Sequence, residues 1–134
     1  MKFDTKEPCK SCPYRKDAKL GLWHPCEFEN LARTEQELVG AVFGCHATGK
    51  GKTPVSVCAG WLLAQRDAGV PSIALRMQLL QNPDALQGLE TVSDGGHELY
   101  ASVQEMIEAN ETLGRCPDCE RYNNADGCCP VCDA

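Results

Sequence analysis

The stretch "PCKSCPYRKD", residues 8–17, decides how the rest of the chain is read. It sets Cys9 and Cys12 two residues apart, a spacing whose tight turn can place two thiolates on one ion. Two more thiols answer from a distance: Cys45 in "VFGCH" and Cys58 in "VCAGW". Each lies at the edge of a segment with helical apolar spacing. Four thiolates so arranged tie the N-terminal arm to two helical segments, and long loops gain most from such closure. Zinc and a [4Fe–4S] cluster both accept four cysteines, and the sequence leaves the two open. The plain alternative is that Cys45 and Cys58 are buried thiols, a common state for cysteine.

The segment between them, "GCHATGKGKTP" at 44–54, resembles a phosphate-binding loop. Gly44, Gly49 and Lys50 fit G-x-x-x-x-G-K, but Gly51 stands where a magnesium-binding hydroxyl is needed. In the other frame, Gly51-Lys52-Thr53, the first glycine position falls on His46, and Pro54 follows where a helix should begin. The stretch reads as a Gly/Lys loop leading from Cys45 to Cys58, and no nucleotide is expected. His46 directly follows a ligand candidate. Adjacent residues seldom reach one ion, so a hydrogen bond to a ligand or a surface role suits it better.

A second cluster ends the chain. "CPDCERYNNADGCCPVC" holds Cys116-x-x-Cys119 and Cys129-x-x-Cys132, with Pro117 and Pro130 stiffening the same place in each turn. Two such turns complete a tetrahedral sulfur cage that suits zinc. Asn123, Asn124, Asp126 and Gly127 supply the reversal between them. Cys128 is an alternative to Cys129, but it has three residues between itself and Cys132 where Cys129 has two, and it reads as spare. After Gly114 aliphatic residues almost vanish, so residues 115–134 form a zinc-ribbon-like tail that metal must fold, attached to a helical metal-binding domain at 1–114.

The 134 residues suit one compact domain and an appendage, and their ten cysteines need a chemistry. The start, "MKFDTKEPCK", has no apolar run, and the longest apolar stretch, around Trp61-Leu62-Leu63-Ala64, is far too short for a bilayer. The expectation is a cytoplasmic protein with no membrane partner, whose reduced cysteines bind metal in preference to forming disulfides. Net charge is −6, but unevenly spread. Residues 1–60 carry nine Lys/Arg against seven Asp/Glu, and residues 61–134 carry four against twelve. The acidic half repels phosphate backbones. Lys2, Lys6, Lys10, Arg15, Lys16 and Lys19 could form a basic patch for nucleic acid, although such runs more often make a solvated face.

Apolar periodicity points to a mainly α protein. Pro25 opens a short helix carrying Phe28, Leu31 and Ala32. Thr34-Glu35-Gln36-Glu37 has capping-box form ahead of Leu38, Ala41 and Val42. Residues 58–68 make a third helix, and Trp61 belongs to the core. Ser72 caps a fourth, broken at Asn82-Pro83, and a short turn through Leu86 and Leu89 follows. The last helix is expected over 97–113, with Leu99, Val103, Met106, Ile107 and Asn110 on one face. Cys26 reads as a packed thiol, with replacement of one of the four N-terminal ligands as the alternative, and His24 and His97 read as ordinary loop residues.

In order, C-x-x-C-P-Y-R-K-D, G-L-W, V-F-G-C-H, C-A-G-W and I-A-L-R resemble an uncharacterised family of short cysteine-rich proteins from phages and bacteria. The resemblance covers roughly residues 8–112 and leaves out the tail. It implies one functional constellation of Cys9, Cys12, Cys45, His46 and Cys58, and brings no known activity. A looser likeness to WhiB-type [4Fe–4S] regulators fails on cysteine spacing. Three functions follow as expectations. One is a non-enzymatic metalloprotein that binds a protein partner, such as transcription or replication machinery, in the host cytoplasm if phage-encoded. The others are an iron–sulfur redox or sensor protein and a nucleic-acid-binding zinc protein.

Overall fold

The computed structural model describes residues 2–36, 44, 56–68, 71–123, 127 and 131. Cys45, His46, Cys128, Cys129, Cys132 and nearly all of the Gly/Lys loop lie outside them, as does the segment with Leu38, Ala41 and Val42. Among the described residues the protein is mainly helical: α1 (Pro25–Gln36), α2 (Ala59–Asp67), α3 (Ile73–Gln81), α4 (Pro83–Thr91) and α5 (Val103–Glu111). Extended pairing in this part is limited to isolated bridges. No helix there is long and apolar enough to cross a membrane.

The core is organised around α2. Trp61 and Leu62 are fully buried, and Ala59, Gly60 and Leu63 are buried with them. A helix whose first five residues are all buried must begin in the middle of a small protein, with Arg66 and Asp67 at its end reaching the surface. The indole N–H of Trp61 donates to Thr34 Oγ1 at 3.1 Å, which satisfies its one polar atom. Phe28 and Leu31 of α1, Leu75 of α3, Ala85 of α4 and Met106 of α5 close around it.

The N-terminal arm packs as part of this core. Val57 N–H donates to Lys2 O, and Ser93 N–H donates to Lys6 O, both at 2.8 Å. Further on, Tyr100 N–H donates to Tyr14 O at 2.8 Å and Lys16 N–H to Glu98 O at 3.0 Å. Phe3 is buried against α4, where a Cβ on Gly88 would stand 2.7 Å from Phe3 O. Only glycine lets the arm approach so closely.

Local signals set several boundaries. Ser72 Oγ accepts from Leu75 N–H at the start of α3, and Asn82 Oδ1 accepts from Asp84 N–H at the start of α4. Pro83 begins a full nine-residue helix where a short turn was expected. The last helix starts at Val103, six residues later than its apolar spacing suggests. Ser102 Oγ accepts from Glu105 N–H at 3.3 Å, Glu105 reaches back to Ala101 N–H at 2.8 Å, and Leu99 pairs with Arg15 in extended backbone. The expected cap at Thr34 is also corrected, because Thr34 lies in the last turn of α1 and donates to Leu31 O. Cys26, expected to be packed, is exposed at the second position of α1.

Candidate metal centre

Two of the four N-terminal thiols meet in the core. Cys12 Sγ and Cys58 Sγ are 3.9 Å apart, 46 residues distant in sequence, with 1% and 3% of their surfaces exposed. Each sulfur is delivered by a different local device. On the arm, Cys12 N–H donates to Cys9 O and Arg15 N–H donates to Cys12 O, both at 3.0 Å, so C-x-x-C forms a tight turn. Trp23 pins that turn by donating its indole N–H to Ser11 O at 3.3 Å. Cys58 stands at the N-cap of α2, its carbonyl accepting from Leu62 N–H at 3.0 Å. Its side chain makes no cap hydrogen bond to the helix, and its sulfur lies against that of Cys12.

The surroundings favour thiolate. The Cys12 thiol is held below its ordinary range first by its contact with Cys58, and then by backbone N–H groups of Tyr14, Gly60 and Arg15, against burial, which works the other way. Gly60 is in the first turn of α2, where N–H groups have no helical partner. A Cβ at Gly60 would fall 2.8 Å from Cys12 Sγ and 2.8 Å from Tyr14 Cβ. The glycine of "CAGW" therefore lets the helix terminus close on the sulfur. The cysteine positions drew the sequence reading, and this glycine, two residues on, went unused. Arg15 was read only as part of a basic run. Its guanidinium grips Asp17, with Nε 2.7 Å from Oδ1, and Asp17 first, then the charges of Cys12 and Cys9, push its pKa up.

Cys9 lies in the same turn, its sulfur 3.8 Å from Ser11 Oγ. Gly44 and Val57, the residues just before Cys45 and Cys58, pair in an antiparallel bridge. Cys45 itself is outside the described residues. Among the described residues, no three His, Cys, Asp or Glu side chains gather as a metal-holding group. Tyr14 and Gly60 also wall a cleft of ≈ 600 Å³ rimmed by Asp67, Asp94, His97 and Glu98.

The described half of the tail is a small hairpin. Arg115 and Tyr122 form an antiparallel bridge, Cys116 N–H donates to Arg121 O at 2.8 Å, and Glu120 N–H donates to Cys116 O at 2.9 Å. Glu120 takes φ 60°, a left-handed turn just after the second cysteine of the pair. That conformation is uncommon outside glycine and costs about 1 kcal/mol or more, so the rest of the hairpin must hold it. Cys116 is buried and Cys119 half-buried. Cys129 and Cys132, which would complete the cage, lie outside the described residues.

This hairpin is bound to the helical core. Tyr122 is 1% exposed and its ring lies 6.1 Å from that of Phe28 in α1. Asn123 N–H donates to Gly114 O at 2.9 Å. His24 also takes part. Its Nδ1 accepts from Cys26 N–H, which leaves Nε2 to donate to Cys119 O at 3.3 Å. It thus joins the start of α1 to the second tail cysteine, a link that the sequence alone did not signal.

Comparison with known families now adds one finding. Residues 4–122 match the Family of unknown function (DUF6283). The chain belongs to that family. The DUF6283 match extends beyond the 8–112 read from motifs and takes in Cys116, Cys119 and Tyr122. No curated protein and no solved structure matches the chain.

Proposed function

We propose that this chain is a non-enzymatic, cytoplasmic metal-binding protein that acts by contacting a protein partner. In this reading Cys9, Cys12, Cys45 and Cys58 hold one metal centre, and Cys116, Cys119, Cys129 and Cys132 hold a zinc ion. The observation that carries it is the meeting of Cys12 and Cys58 in the core, each from its own hydrogen-bonded turn. Two buried thiols supplied with backbone N–H groups form the beginning of a ligand set.

A protein contact suits the outer surface of α3 and α4. Met77, Leu80 and Leu86 are 46%, 83% and 53% exposed. Exposed apolar side chains on two helices that pack together suit a protein contact. A nucleic-acid role has less support, since Arg15 is engaged by Asp17 and Lys16 lies 3.4 Å from Glu98. That leaves Lys2, Lys6, Lys10 and Lys19 for phosphate on a chain of net charge −6. Metal content of the purified full chain, compared with a Cys12→Ser/Cys58→Ser double variant, tests the reading. The parent should hold two metal centres and the variant one; equal content in both would overturn it.

A further inference from the structure

We infer that the N-terminal centre is shaped for a single tetrahedral ion, zinc, with Cys12 and Cys58 as one edge of the tetrahedron, and not for a cubane iron–sulfur cluster. This rests on the metal-binding reading above and narrows it to one kind of centre.

The argument is the distance between the two sulfurs. Thiolates bound to one zinc at about 2.3 Å and at the tetrahedral angle stand about 3.8 Å apart. Cys12 Sγ and Cys58 Sγ stand 3.9 Å apart. In a [4Fe–4S] cluster each cysteine takes a different iron at a corner of the cube, which spreads the thiolate sulfurs to roughly 6 Å. Accommodating a cubane would mean parting this pair by about 2 Å.

Both sides of the pair resist that separation. Cys12 is fixed in its turn by bonds to Cys9 and Arg15 and lies directly against Gly60. Cys58 is fixed by the first turn of α2, by Val57 N–H bonded to Lys2 O, and by the fully buried Trp61 and Leu62 that follow it. A close-packed interior transmits such a shift to its neighbours and does not absorb it. The charge also fits. Four thiolates on a divalent ion leave −2, and the first turn of α2, at its positive end, lies directly against Cys12 Sγ through Gly60. A [2Fe–2S] cluster also puts two cysteines on one iron, so the experiment must detect sulfide as well as colour.

The test uses the full-length chain carrying Cys116→Ser and Cys119→Ser, which leaves only the N-terminal thiols able to form a complete site. It is expressed and purified anaerobically with both iron and zinc supplied, then assayed for zinc, iron and acid-labile sulfide. The expected result is a colourless protein with one zinc per chain and no sulfide. X-ray absorption at the zinc edge should show a shell of four sulfurs at about 2.3 Å. Acid-labile sulfide with iron, in either cluster stoichiometry, overturns the inference while leaving the metal-binding reading standing. A folded protein with no metal overturns both. If the double variant fails to fold, the same assays on the parent decide: two zinc and no sulfide support the inference, and any stoichiometric sulfide overturns it.

Discussion

The two cysteine regions solve the same ligand problem in opposite ways. In the tail, Cys116 and Cys119 are neighbours, and the hairpin that presents them is closed by backbone bonds between residues four to nine apart in sequence. In the core, Cys12 and Cys58 come together across 46 residues, and their meeting depends on the arm, the start of α2 and Gly60 all being in place. A local pair can therefore form before the fold, whereas the distant pair is a result of it. On the proposed metal-binding reading, metal at the first would stabilise a turn. Metal at the second would close a long loop through α2, the most buried helix among the described residues, so its binding energy would become folding energy for the whole chain.

That contrast can be broken by matched substitutions. The largest effect is expected for Cys12→Ala, which removes a proposed ligand at the centre of the core. We expect a loss exceeding about 5 kcal/mol, enough to unfold a small domain, read by denaturant titration with circular dichroism. Cys116→Ala should lose the tail metal but keep the helical signal; equal losses from the two would erase the distinction. Next is Tyr122→Ala. Tyr122 is buried against Phe28, so truncation should cost roughly 3 kcal/mol in the unfolding of the helices themselves. A tail folding as a separate unit would instead leave their melting unchanged.

Smaller changes sharpen the picture. Gly60→Ala gains up to about 1 kcal/mol of helix propensity. It also forces a methyl to within 2.8 Å of Cys12 Sγ, and overpacking of about 1–3 kcal/mol should win. Metal analysis of this variant should find weakened N-terminal binding beside an unaltered tail, and a net gain in stability would contradict the close approach. Ser102→Ala, which removes the cap of α5, should cost about 1 kcal/mol and leave both metal contents unchanged.

How much of this was legible follows the same division between near and far. Ser72 and Asn82-Pro83 announce helix starts through atoms within three residues, and the structure uses them so. The helical character of residues 59–67 and the burial of Trp61 followed from apolar content alone. Leu99 misled because its apolar side chain fits a helical face, while its backbone is taken up by Arg15, 84 residues earlier. The capping box Ser102-x-x-Glu105 was present to correct it. Thr34 misled in the other direction, since its box-like sequence is overridden by the bond from Trp61. At the site, cysteine spacing pointed to Cys9 and Cys12 as a turn. It could not show that Cys58 lies beside Cys12, that Gly60 must be glycine, or that His24 reaches Cys119, because each depends on a partner dozens of residues away.

Hydrogen exchange at the amides of Trp61 and Leu62 tests the central claim most directly, measured on the full-length chain before and after stepwise removal of metal by a chelator. These amides lie within four residues of Cys58 in the most buried helix. If the distant thiols close the fold through a shared ion, removing the N-terminal metal should collapse their protection by several orders of magnitude, toward the rates of an unfolded chain. Loss of the tail metal alone should leave their protection within about tenfold of its starting value. Full protection of Trp61 and Leu62 in a chain stripped of all metal would contradict the account, because the core would then stand without the ion said to close it.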